Sequence, residues 1–150
     1  MTAPRRLPRV LPAEYRERLM GTAREVSFEA GRRIFEEKGR ADRFWIIRSG
    51  TVTLDLRLGG PRPTEVSSLE SGDLLGWSWL FPPYEWDFGA EALSPVRAYE
   101  FDGAEVQALC DADPAFGYAL LRVIVEVLAH RVRAARTQLL DLVAPHAGRL

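Results

Sequence analysis

The sequence contains few of the residue types that carry metal, redox or catalytic chemistry. It has one cysteine, Cys110, and two histidines among 150 residues, so an internal disulfide is impossible and a histidine-based metal site is not expected. A single cysteine is typical of a protein from a reducing compartment. We therefore expect a cytoplasmic protein that needs neither a metal nor a cofactor.

Excess charge and long apolar segments are also missing. Lysine and arginine total 20 against 21 acidic residues, whereas a general nucleic-acid-binding protein has a marked basic excess. No apolar run approaches the roughly 20 residues of a membrane span, and no apolar segment follows the charged N-terminus as in a signal peptide. The segment GWSWL around Ser78 lacks the second glycine of a nucleophile elbow. We expect no membrane association, no direct DNA binding and no enzymatic activity.

Short segments of alternating polarity make up the middle of the chain. In TVTLDLRL (residues 51–58) apolar and polar side chains alternate without a break, as in a half-buried antiparallel strand. The loop GGPRP follows, then TEVSSLE as the return strand, and VRAYEFD is the expected closing strand. Several short strands with regular turns predict a mainly β protein, a sandwich or barrel rather than a parallel sheet.

Helical signals flank this β region. Pro12 suits the first turn of a short N-terminal helix. Asp102 begins a capping-box pattern, DGAE, and the Asp-Pro pair at residues 113–114 opens a longer helix. The predicted organisation is an irregular arm (1–12), one domain (13–143) that ends in a helix (114–143), and a tail (144–150).

The last helix carries apolar side chains at heptad spacing, mostly valine at position a and leucine at position d. This choice favours a parallel two-stranded coiled coil. The predicted seam consists of Tyr118, Leu121, Val125, Leu128, Val132, Ala135, Leu139 and Leu142. We predict a homodimer through this helix, because a helix of this length extends beyond a small barrel. The alternative is that the same face only covers the barrel. The remaining arginines are expected to form a solvated face: Arg122, Arg131, Arg133 and Arg136.

A spaced pattern of glycine, aromatic and aliphatic residues runs through VSFEAGRRIFEEKGRADRFWIIRSGTVTLDL, residues 26–56. Its members are Phe28, Gly31, Ile34, Gly39, Ala41, Asp42, Trp45, Ile47, Gly50 and Val52. The pattern resembles the cyclic-nucleotide-binding domain of the catabolite-activator type. The resemblance implies an eight-stranded jelly roll (a double-stranded β-helix) with flanking helices, the last of which commonly pairs two protomers. In that family's transcription factors a DNA-binding domain follows this helix, and the short VAPHAGRL segment here implies a sensor domain without one.

That family binds its ligand through a phosphate cassette, Gly-Glu-x-Ala-Leu followed by Arg-Ser/Thr-Ala. Alignment on the resemblance puts Gly76 at the cassette glycine, Trp77 at the glutamate and Trp86 at the arginine. Asp87 stands at the serine or threonine, and Phe88 at the alanine. The side chains that bind the ribose and the phosphate are thus both replaced, and breaking one buried charge pair costs ~3–5 kcal/mol. We expect that cyclic AMP and cyclic GMP are not bound in the usual way.

The replaced cassette lies in an aromatic-rich loop, GDLLGWSWLFPPYEWDFGAEA (residues 72–92). The rings fit a pocket for a flat neutral or cationic ligand, a closed pocket packed as core, or an exposed patch for a protein partner. The candidate pocket residues are Leu75, Gly76, Trp77, Trp79, Glu85, Trp86, Asp87 and Phe88. The predicted function is a non-enzymatic regulatory or sensor domain with a small-molecule ligand. The alternative is a ligand-free adaptor module that binds a protein partner.

Overall fold

The structure is a computed structural model that describes residues 11–147, with side chains up to residue 144. A short helix, α1 (Ala13–Met20), precedes eight strands. The strands are β1 (Arg24–Phe28), β2 (Arg33–Phe35), β3 (Arg43–Ser49), β4 (Val52–Leu56), β5 (Thr64–Leu69), β6 (Leu74–Leu75), β7 (Gly89–Ala92) and β8 (Val96–Asp102). Two helices follow, α2 (Gly103–Ala112) and α3 (Pro114–Ala147). Most of the predicted arm and the last three residues of the predicted tail lie outside the described residues.

The strands form two antiparallel four-stranded sheets. Their strand orders are β1-β8-β3-β6 and β2-β7-β4-β5. Apart from the consecutive strands β4 and β5, neighbours in each sheet are not consecutive in the sequence, as is typical of a jelly roll. The expected mainly β jelly roll with flanking helices is confirmed.

Strand β3 separates two hydrophobic cores. Phe44 and Ile46 pack on the helix side, together with Phe101 and Phe116. Trp45 and the alternate residues of β3 pack inside the roll, between the two sheets. Because successive side chains of a strand point to opposite faces, this one strand contributes to both cores. Strand β3 is apolar at consecutive positions because both of its faces are buried.

A buried carboxylate ties the helix-side sheet together. Glu100 of β8 accepts hydrogen bonds from Trp45 Nε1 (3.1 Å) and Arg43 Nη1 (3.3 Å), and it also pairs with Arg24. Burial raises the pKa of Glu100, but the hydrogen bonds from Arg24 and Trp45 and the neighbouring positive charges outweigh it and lower the pKa below its ordinary value. Glu100 therefore stays ionised in the fold.

Strand β4 is buried on both faces, and the prediction of a half-buried strand was wrong. Thr53 and Asp55 on its polar face are buried, as are Val52 and Leu54 on the other. The guanidinium of Arg33 on β2 covers this polar face and donates two hydrogen bonds to the Asp55 carboxylate. The alternation of polar and apolar residues along one strand does not show whether a side chain of another strand buries its polar face.

The helices begin where the capping residues predict. The Asp102 side chain accepts from the backbone N–H of Glu105 (3.1 Å), and Asp113 accepts from the N–H groups at the start of α3. At 34 residues α3 is about 51 Å long. It continues past Pro145 to Ala147, beyond the predicted end at residue 143. No helix within residues 11–147 combines the length and apolar character that a membrane span requires.

Candidate ligand-binding site

Trp86, which the sequence alignment predicts at the position of the cassette arginine, lies inside the roll. Its ring is 5% exposed and stacks on Phe35 with centroids 4.0 Å apart and an interplanar angle of 15°. Backbone hydrogen bonds join it to Lys38 and Gly39 in the loop after β2. Gly76 has φ +92°, and a Cβ there would lie 2.9 Å from the Trp86 ring. Gly76, the predicted cassette glycine, thus leaves the space that the Trp86 ring occupies.

Trp79 belongs to the other core, although it was predicted beside Trp86. It lies in the 3-10 helix Ser78–Leu80 and stacks on Phe44 at 4.8 Å, on the helix side of β3. Gln107 of α2 donates a hydrogen bond to the Trp79 carbonyl (3.0 Å). The loop therefore crosses from the helix side to the inside of the roll between Trp79 and Trp86.

A cavity of about 560 Å³ lies between the roll and α3. Its size is within the range of small-molecule pockets. From the predicted set, the residues that line it are Leu75, Gly76, Trp77, Trp86, Asp87 and Phe88. From α3, they are Leu128, Arg131, Val132, Ala134, Ala135 and Gln138. Most of this lining is apolar, and Trp77, which is only half-buried, is the tryptophan that faces the cavity without belonging to a core.

Arg131 is the cavity residue that sequence reasoning missed. The sequence placed it on a solvated face, but it is half-buried, and its Nη2 donates a hydrogen bond to the Leu74 carbonyl at the start of β6. Burial lowers the pKa of Arg131, and the charge of Asp73 opposes this effect. Arg131 precedes the seam residue Val132, so heptad spacing alone gives no signal that it faces the roll.

The two predicted carboxylates lie in different places. Asp87 lines the cavity, is exposed, and accepts a hydrogen bond from Ser78 Oγ (3.4 Å). The backbone of Glu85 forms an isolated antiparallel β-bridge with that of Arg40. Glu85 also lines a separate surface groove, together with Trp79. Of the two acids, only Asp87 is placed to contact a ligand in the cavity.

The predicted seam of α3 faces away from the roll. Val125, Leu139 and Leu142 are 59%, 62% and 70% exposed. The opposite side of the helix packs into the helix-side core through Leu120 and Ile124. The predicted seam therefore lies mostly on the side of the helix away from the core, although its members Leu128, Val132 and Ala135 also line the cavity.

The tip of the aromatic loop is exposed. Phe81 is 54% and Tyr84 42% exposed, on either side of the Pro82–Pro83 pair, whose peptide bond is cis. The loop thus divides its rings between both cores, the cavity and the surface.

Comparisons with known proteins agree with this architecture. Residues 25–113 match the model of the cyclic nucleotide-binding domain. A curated relative, the CRP-like cAMP-activated global transcriptional regulator of Mycobacterium tuberculosis, is 30% identical over 118 residues. The match covers 79% of this chain and 51% of the relative, so the chain spans about half the length of that protein.

Solved structures share the fold. A Geobacter metallireducens protein described as cyclic nucleotide-binding is 27% identical with a TM-score of 0.72, over 88% of this chain and 99% of that one. A cyclic nucleotide-binding domain from Methylobacillus flagellatus has a TM-score of 0.80 at 14% identity, over 93% and 79% of the two chains. The family match over β1 to the end of α2 and the shared jelly roll lead to one conclusion. The chain belongs to the cyclic nucleotide-binding domain family, whose members are regulatory rather than catalytic.

Proposed function

We propose that this domain is a sensor whose cavity binds a small, largely apolar ligand and does not bind cyclic AMP or cyclic GMP in the usual way. The observation that carries the proposal is the position of Trp86. Its ring is buried against Phe35 and Gly76 at the aligned place of the phosphate-binding arginine. The cavity beside it keeps the volume of a ligand site but has a mainly apolar lining.

The electrostatics of the loop support the same proposal. A cyclic phosphate placed at the cassette would meet the exposed Asp87 carboxylate instead of a guanidinium. Losing one buried charge partner costs ~3–5 kcal/mol, and a micromolar Kd corresponds to about 8 kcal/mol. The remaining affinity would be too weak for cellular cyclic nucleotide levels. The mycobacterial relative is named as cAMP-activated, and we propose that this chain differs from it in ligand.

A homodimer through α3 is the second part of the proposal. The exposed seam supports it, because a continuous apolar stripe on a surface helix is typical of an interface. Leu128, Val132 and Ala135 belong to the predicted seam and also line the cavity. A sensor with this geometry would report ligand binding to its partner subunit through α3.

Calorimetry and thermal melts test the proposal. We expect no heat of binding with cyclic AMP or cyclic GMP at micromolar concentration. We expect at least one compound from a small-molecule library to raise the Tm, since a ligand that binds only the folded state stabilises it. Micromolar cyclic AMP binding would refute the role given to Trp86, and a library without any ligand would refute the sensor.

A ligand-free adaptor is the second candidate function. The exposed rings of Phe81 and Tyr84 favour it, because aromatic side chains are common anchors at protein interfaces. We expect the paired variant Phe81→Ser, Tyr84→Ser to keep its Tm and, for an adaptor, to lose a partner that the unmodified protein retains reproducibly. Retention of that partner by the variant would exclude this loop tip as its binding site.

A further inference from the structure

The cavity contains a cation with no acidic partner beside it. Among the described residues, Arg131 takes part in none of the ion pairs. Its one hydrogen bond goes to a neutral acceptor, the Leu74 carbonyl. The charge of Asp73 raises the pKa of Arg131, but the Asp73 carboxylate accepts its hydrogen bond from the backbone N–H of Glu70 (2.8 Å). Arg131 thus has donor groups left for a ligand.

A half-buried guanidinium without a carboxylate is costly next to apolar side chains. Transfer of a charge from water is unfavourable unless it is paired, and Arg131 lies among Leu128, Val132 and Leu75. An arginine offers five N–H donors in a planar fork that matches a carboxylate. An anion at this place would therefore interact with a cation that the protein itself leaves unpaired.

We infer that the ligand of this cavity is an aromatic carboxylate, whose anion pairs with Arg131 and whose ring packs against Trp77 and Phe88. The inference rests on the proposed function, since it assigns the chemistry of the same cavity. It replaces the neutral or cationic ligand expected from the sequence, because that expectation counted Asp87 and Glu85 but not Arg131. Glu85 does not line this cavity.

The positions of the two charges orient the ligand. Asp87 lies on the loop side and Arg131 on the helix side, and no ion pair joins them in the part of the chain that the structure describes. An anion is attracted to the helix side and repelled from the loop side, so the carboxylate points towards α3. The mainly apolar lining offers few partners for ribose hydroxyls, and buried hydroxyls without partners weaken binding. A carboxylate on an apolar ring thus fits better than a nucleotide.

Two probes of equal shape test the inference by calorimetry. They are 2-naphthaleneacetate, which carries the anion, and 2-naphthaleneacetamide, which is neutral. We expect the acid to bind about 10- to 100-fold more tightly than the amide, the range for a hydrogen bond to a charged group. Arg131→Gln should abolish this preference. The control Arg133→Gln removes an exposed arginine of the same helix, and this variant should still bind the acid more tightly than the amide.

The ratio of the two Kd values separates an anion contact from a structural role of Arg131. A loosened α3 would weaken both probes alike, whereas loss of an anion contact weakens only the acid. Equal binding of acid and amide to the unmodified protein would overturn the inference and leave the proposed function standing. An acid preference that survives in Arg131→Gln would do the same. Cyclic AMP binding more tightly than the acid would overturn the inference and also contradict the proposed function. Failure of both probes while a library compound binds also overturns it, and a library without any ligand overturns the proposed function itself.

Discussion

Replacing Trp86 by alanine distinguishes a ring that holds the roll together from a ring that serves the ligand. Trp86 is 5% exposed and stacks on Phe35 at 4.0 Å. Truncating a buried aromatic side chain costs about 3–5 kcal/mol, and loss of the stacking places this variant towards the upper end. Domains of this size are stable by about 5–15 kcal/mol, so the variant should still fold at 25 °C but with little reserve.

Urea denaturation at one fixed protein concentration measures the effect, since the stability of a dimer depends on concentration. With a slope near 2 kcal/mol per molar urea, a loss of about 4 kcal/mol lowers the midpoint by about 2 M. Trp77→Ala is the matched control, because it removes an indole from the same loop at a half-buried site. We expect it to cost about 1 kcal/mol. Equal midpoints for the two variants would show that Trp86 is not a core residue.

Three further predictions test the seam, the buried carboxylate and two turns. Val125→Lys should give monomers in sedimentation velocity, because it puts a charge in the seam. Thr137→Lys adds the same charge outside the seam and should remain dimeric. If Val125→Lys remained dimeric too, the seam would not be the dimer interface. Because the folded-state pKa of Glu100 is depressed, its contribution is present at neutral pH and is lost as the pH falls through that pKa. Glu100→Gln should lower the free energy of unfolding by about 1–3 kcal/mol at pH 7. Its urea midpoint should also fall less steeply than that of the unmodified protein as the pH is lowered. Parallel plots of urea midpoint against pH for the two proteins would contradict this role of Glu100. Gly50→Ala should cost about 3 kcal/mol or more, since φ is +89° and the new Cβ would lie 2.2 Å from a backbone oxygen. Gly31→Ala, at φ +86° with open space, should cost about 1–2 kcal/mol, and equal losses would rule out the clash.

Local signals in the sequence predicted much of the fold. The segment VRAYEFD is strand β8 (Val96–Asp102), and Asp102 and Asp113 cap the two helices as expected. Capping and alternation depend on residues a few positions apart, so one sequence is enough to recognise them. The burial of Asp55 could not be predicted in this way, because Arg33, 22 residues earlier, covers it only in the folded state.

The candidate site was predicted less completely. Most of the candidate pocket residues line one cavity, but the alignment could not tell which core each ring joins, and the replacement of the cassette side chains stays a prediction. Trp79 and Trp86 lie seven residues apart and pack on opposite sides of β3. Arg131 was missed because its partner, the Leu74 carbonyl, is 57 residues away in the sequence. Contacts of this kind depend on how the roll packs against α3. The periodicity of apolar residues within the helix does not predict that packing.

The two faces of α3 indicate how ligand binding in this domain could reach a partner subunit. Leu120 and Ile124 fix the first half of the helix to the core, while the side chains of residues 132–144 are exposed. The cavity lies where the helix leaves the roll, and Arg131 bonds to β6 at that place. A carboxylate bound as we propose would share the Arg131 guanidinium with the Leu74 carbonyl, and so alter the contact that joins α3 to β6. Because Val132 follows Arg131 directly, a displacement at this place reaches the predicted seam within one residue.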